Sequence, residues 1–267
     1  MNEQQILYIP PIATTEIDKY SSLIVGIQGA PGSGKTVSSL TFPNPIIALL
    51  EKPDLEGMLT LPILAGVKPA LLPFYSSEWL DKNSLPKFPT PGGIGGLQHD
   101  PAGCFKSWLS GTAQKLTGEQ TLVVDNWTRL QEHFDKINWS YKTLTKRGEE
   151  DDFAPWDRKL TFSEEVMNSL VNLTCNVVVL FHEIPERDKA TGQLLDKIQP
   201  LQQGKFIAKL KSYFPNFFRQ HCLESKENKG QMEYMWQVKG NTGFDAKCSK
   251  PNLPMLVPAH YSSLISQ

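Results

Sequence analysis

The sequence predicts an α/β fold with a mostly parallel central sheet flanked by helices. Two observations predict it: short apolar segments alternate with stretches of helical spacing, and a glycine-rich turn separates the first apolar segment from the first helical one. The apolar segments are continuous runs of Val, Ile and Leu, as strands covered on both faces require.

Residues 1–20 are polar and carry Pro10 and Pro11, so they read as an N-terminal arm. Residues 23–28, LIVGIQ, form the first strand, and a helix starts near Lys35 and stops before Pro43, because proline disfavours helix in the residue before it. Residues 46–50 and 71–75 are the second and third strands. Residues 82–103, rich in Pro and Gly, read as a surface loop. A helix around 105–116 leads to a strand at 121–125, and the next segment puts Leu130, Phe134 and Ile137 on one helix face. Residues 142–159 hold five basic and five acidic side chains in no regular pattern. A helix at 160–173 and a buried strand at 176–181 follow. From about residue 205 the chain is rich in Lys and aromatics, consistent with an antiparallel extension, and 251–267 reads as a C-terminal tail. The main domain is therefore expected at 21–250, and there is no internal repeat.

With 267 residues, 40% hydrophobic and 21% charged, the chain has the composition of a globular protein rather than a disordered one. A net charge of −1 excludes binding to nucleic acid by bulk charge, so any such site is local. Cys104, Cys175, Cys222 and Cys248 are scattered without a CxxC pair, which reads as reduced thiols in a cytoplasmic setting. The N-terminus lacks the basic-then-apolar pattern of a signal peptide, and no apolar run approaches the ~20 residues that span a bilayer, so no membrane partner is expected.

Residues 29–36 (Gly29, Ala30, Pro31, Gly32, Ser33, Gly34, Lys35 and Thr36) satisfy GxxxxGK[ST] in the context the motif needs, after a strand and at the start of a helix. Its glycines let backbone N–H groups face a triphosphate at a helix N-terminus. Lys35 is expected to reach the β- and γ-phosphates, and the Thr36 hydroxyl to ligate Mg2+. The strand TLVVD ends in Asp125 at the sheet edge where open α/β sheets bind ligands, so Asp125 is the second candidate Mg2+ ligand. The alternative is a carboxylate that caps the helix beginning near Trp127. Asn126 stands where many such ATPases carry a glutamate, and an amide takes no proton from water, so the base lies elsewhere.

GAPGSGKT, the segment IIALLE ending in Glu51, TLVVDN, FAPWDRKL with Trp156, VVVLFHE with His182 and GFDAKCSK together resemble the RecA-like ATPases of phages, the Sak-type single-strand-annealing, AAA-type nucleotide-binding proteins. The likeness spans about 23–250, and the order and spacing of the motifs carry it. It implies ATP as the nucleotide, Glu51 as general base, His182 as γ-phosphate sensor, and Lys247, with Lys250, reaching a nucleotide held by a neighbouring subunit in a ring or filament. It also implies single-stranded DNA as a ligand and a single-strand-binding protein as a further partner. Departures are Leu49, where an aspartate often stands, and Ala246-Lys-Cys-Ser-Lys250, which lacks the usual arginine.

Residues 205–250 contain nine Lys/Arg against four Asp/Glu, interleaved with Phe206, Tyr213, Phe214, Phe217, Phe218, Tyr234 and Trp236. Such a mixture suits either a single-strand site or an ordinary core with a solvated lysine face. The DNA-contacting loops implied by the resemblance are 142–158 and 184–204, the latter with Arg187, Lys189 and Lys197. A motor or helicase loader and a slowly hydrolysing nucleotide-gated module are the other readings. A small-molecule kinase is disfavoured by the scarcity of arginine.

Overall fold

Apolar residues alternate between the two faces of the central strands. From β6 (Thr121–Asp125) and β7 (Asn176–Arg187), Leu122, Val124, Val177, Val179 and Phe181 pack into one core cluster, and Val123, Val178 and Leu180 into another. From β1 (Ile24–Gly29), Val25 and Ile27 join the second cluster. Two cores on opposite faces are what a sheet covered by helices on both sides produces. The computed structural model describes residues 22–89, 97–141, 143–145, 147–188, 190–202, 205–225, 229–250 and 252–265. The expected arm at 1–20, part of the expected loop at 82–103, and Lys189 lie outside them.

Among the described residues one sheet has nine strands. Its order is β11 (Leu256–Pro258), β10 (Met232–Gln237), β9 (Asn216–Glu224), β1, β7, β6, β2 (Pro45–Leu49) and β3 (Ala70–Pro73). An extra strand, β8 (Leu194–Pro200), pairs antiparallel with the far half of β7. From β9 to β3 the main path is parallel. Its register sets Gly29 beside His182 and Leu49 beside Asp125, so the ends of β1, β2 and β6 gather at one sheet edge with His182 of the longer β7.

The structure corrects several expectations. β9 runs parallel to β1, and the antiparallel pairings of the C-terminal extension start with β10 on β9 and continue with β11 on β10, later than its composition suggests. The tail expected at 251–267 instead supplies β11 and a short helix (Ser262–Ile265), because Leu253, Val257, Ala259 and Leu264 complete the second core cluster. Within the loop expected at 82–103, β4 (Phe88–Pro89) pairs with β5 (Leu97–Gln98), and the next helix starts at Pro101, where Asp100 accepts the Ala102 and Gly103 N–H groups. The helix expected from 160 starts at Ala154 because Asp151 accepts from the Ala154 N–H at its entry. The helix after β6 is capped by Asn126, whose side chain accepts from the Arg129 N–H, and not by Asp125.

Candidate nucleotide site

The turn at 29–36 owes its shape to two glycines with left-handed backbone, Gly32 at φ 75° and Gly34 at φ 86°. Gly34 is further constrained by Tyr234 of β10, since a Cβ there would lie 2.3 Å from the tyrosine ring. The turn opens α1 (Lys35–Ser39) and forms one wall of a cleft of about 450 Å³ at this sheet edge. Lys35 folds back over the loop, donating 2.8 Å hydrogen bonds to the carbonyls of Gly29 and Ala30. Burial pushes its ammonium down to about pKa 8, against the opposing pull of Asp125, Glu183 and Glu51. A strongly desolvated ammonium held only by carbonyls gains much from an arriving polyanion.

The Thr36 hydroxyl donates to Asp125 Oδ2 at 2.7 Å, so the two candidate metal ligands are already in contact. Burial raises the Asp125 pKa; the Thr36 hydrogen bond opposes that rise, Glu51 adds to it, and Lys35 opposes it. A hydroxyl and a carboxylate suit Mg2+, which keeps waters and takes the remaining oxygens from phosphates. No group of three or more His, Cys, Asp or Glu residues capable of holding a metal occurs among the described residues.

Glu51 lies two residues beyond β2, at the rim of the cleft, rather than at the strand's last position. Its Oε1 accepts from Asn126 Nδ2 at 2.8 Å and its Oε2 from Arg129 Nε at 2.6 Å. The same Asn126 amide lies 3.1 Å from His182 Nε2, so Asn126 links Glu51 to His182. Burial, aided by the Lys35 charge, lowers the His182 pKa and favours the neutral imidazole. Its buried Nδ1 has no partner, and its ring lines the cleft. Met58, Leu61 and Tyr234 add apolar surface to the lining of the same cleft.

The fold thus gathers the whole turn, Asp125, Glu51 and His182, but not Lys247. Lys247 is exposed, and its backbone pairs with Phe217 at the foot of β9. Of the aromatics offered as stacking faces, Phe206, Phe214, Phe217, Phe218 and Trp236 are fully or almost fully buried. Tyr234 is the one that reaches the site, at the nucleotide cleft. The loop expected at 184–204 is largely the antiparallel ribbon of β7 and β8. Sequence reasoning missed Arg129 and the new place of Tyr234. The only signal for Arg129 was its position one turn after Asn126, and Tyr234 is placed by sheet register alone.

A strand–turn–helix of this geometry, with a lysine, a threonine and a strand-end aspartate at one sheet edge, defines a P-loop NTPase. Residues 21–249 match the AAA domain family (AAA_24), and the chain belongs to it, so it carries an AAA-type ATPase domain. A comparison with curated protein sequences finds no match. Solved structures with similar folds include an ATPase from the type III secretion system of pathogenic bacteria (11% identity, TM-score 0.40, covering 77% of this chain and 53% of that one). This chain therefore spans about half the length of that protein. Others are the flagellar accessory protein FlaH from Methanocaldococcus jannaschii (9%, 0.35, 88% and 87%) and the RadB recombinase (13%, 0.36, 80% and 87%). No helix among the described residues is long and apolar enough to cross a membrane.

Proposed function

We propose that the chain hydrolyses ATP in this cleft, with Glu51 as the base that activates water, and that single-stranded DNA is the ligand on which it acts. One observation carries the hydrolytic reading: Pro31, Gly32, Gly34, Lys35 and Thr36 of the loop line a single cleft together with Asp125, Glu51 and His182. Backbone N–H groups of residues 32–36 bind the phosphates, Lys35 exchanges the Gly29 and Ala30 carbonyls for β- and γ-oxygens, and Thr36 and Asp125 would hold Mg2+. The metal, once bound, offsets charge on the phosphates. Glu51 accepts a proton from the attacking water, and neutral His182 offers its ring to the γ-phosphate end. The nucleoside lies against Met58, Leu61 and Tyr234.

Support for the DNA ligand comes from exposed rings on the segment after α5 (Trp127–Asn138). Trp139, Tyr141, Phe153 and Trp156 are 49%, 45%, 77% and 39% exposed, and Lys205 shares a groove with Phe153 and Trp156. Exposed aromatics beside a cation suit stacked bases and a phosphate strand. Strand annealing in a phage-type recombination setting is the corresponding biological role. Self-association is the route by which exposed Lys247 meets a neighbour's nucleotide. The tests are hydrolysis with and without single-stranded DNA, quenching of tryptophan fluorescence by an oligonucleotide, and annealing of complementary strands. Stimulation that disappears in Glu51→Gln and quenching weakened in Trp156→Ala support the reading; indifference of both signals to DNA overturns its DNA half. For Lys247, mixed assemblies of Lys247→Ala and Glu51→Gln chains regain activity if the lysine acts across subunits, and gain none if it does not.

A second reading, a nucleotide-gated module with slow turnover, is favoured by the engagement of both Glu51 oxygens by Asn126 and Arg129.

A further inference from the structure

We infer that Arg129 is a positioning residue that restrains Glu51, and that Glu132 draws it away; this rests on the reading of Glu51 as the base. Three side chains carry the inference. Arg129 Nε donates to Glu51 Oε2 at 2.6 Å while its Nη1 donates to Glu132 Oε2 at 2.5 Å. One guanidinium is therefore shared between a carboxylate that lines the cleft and a second carboxylate one helical turn along α5. The Asn126 amide already occupies the other Glu51 oxygen.

A base must turn an oxygen toward water that stands in line with the γ-phosphate. Glu51 lines the cleft and Arg129 does not, so Arg129 engages the Glu51 carboxylate from outside the cleft lining and competes with water for its Oε2. Because Glu132 holds the same guanidinium, a small change in the balance frees Glu51 without leaving Arg129 unpaired. The two contacts are 45%, 37% and 46% exposed at Arg129, Glu51 and Glu132, so salt screens both, and neither is a permanent structural link. The resting arrangement thus keeps basal turnover low with every catalytic group in place.

The geometry predicts opposite effects at neighbouring positions. Arg129→Gln releases Glu51 and raises kcat at saturating ATP by about fivefold, the rate equivalent of an exposed ion pair. Glu132→Gln leaves Arg129 to Glu51 alone and lowers kcat by about twofold, again on the scale of one exposed pair. ATP affinity measured by calorimetry stays constant in both. Raising ionic strength increases kcat in the wild type and leaves Arg129→Gln flat, a response that a purely structural role does not give. Arg129→Lys, which keeps the charge but loses the fork, falls between wild type and Arg129→Gln and serves if the glutamine variant does not fold. An unchanged or reduced kcat in a folded, ATP-binding Arg129→Gln protein overturns the restraint. The double variant Glu51→Gln, Arg129→Gln separates the two levels. Loss of the gain supports both, whereas a persisting gain means that another group is the base, and the restraint falls with that reading. Failure of every variant and of the wild type to bind ATP overturns the nucleotide site itself.

Discussion

The loop at 29–36 and the segment at 205–250 look equally rich as sequence, yet they fold to opposite ends. In the first, polar groups converge: Lys35 on its own carbonyls, Thr36 on Asp125, Asn126 between Glu51 and His182. In the second, the aromatics turn inward, with Phe214, Phe217, Phe218 and Trp236 at 0% exposure and joined by ring contacts. The difference teaches that a motif with fixed spacing specifies a backbone shape, whereas a mixture of lysines and rings specifies only burial for the rings and solvent for the lysines.

That contrast can be broken or sharpened by substitution. The largest effect belongs to Glu51→Gln, for which kcat falls by about 10²- to 10⁴-fold with ATP binding retained, as measured by single-turnover hydrolysis and calorimetry. Phe217→Ala, in the core, costs about 3–5 kcal/mol of stability in chemical denaturation and leaves nucleotide affinity of the folded fraction unchanged. A Phe217→Ala protein that keeps its stability and loses only DNA binding would break the comparison. Lys35→Ala removes two charge-assisted contacts to the triphosphate and weakens ATP binding by about 3 kcal/mol or more, with the melting temperature unchanged or raised.

The pH dependence follows from the same lysine. Its pKa in the free protein is about 8, and bound phosphates favour the charged form. ATP affinity is therefore flat below about pH 8 and weakens above it, by up to about tenfold per unit, with proton uptake on binding. Stability moves the other way: this group's pKa is depressed on folding, so from about 8 to its ordinary 10.5 the unfolded chain holds the extra proton, and the contribution to stability rises with pH. Calorimetry in buffers of different ionisation enthalpy reads the first, and denaturation across the same window reads the second. The smallest effect is Tyr234→Ala, which removes the ring packed on Gly34 at the cleft and weakens ATP binding, read by calorimetry, by about 1–2 kcal/mol.

Much of the candidate site was legible in the sequence. Residues 29–36 form the turn their glycines dictate, and the run TLVVD ends at the sheet edge as read. Less legible was the role of Asn126, read as a missing base. It is a helix cap and a bridge between Glu51 and His182, because its carbonyl and amide ends serve different partners. The tail expected at 251–267 was misread for a related reason. Leu253, Val257 and Leu264 stand too far apart to show as a run, and only packing against the second core cluster makes them one surface.

By itself the sequence determined the parallel α/β order, the phosphate turn and the strand-end aspartate, because each depends on local backbone preference or on a continuous apolar run. The tertiary structure alone decided which distant side chains meet: Tyr234 on Gly34 and Arg129 on Glu51. The physical reason is register, since a one-residue shift between paired strands sends a side chain to the other face, and no short stretch of sequence carries that information.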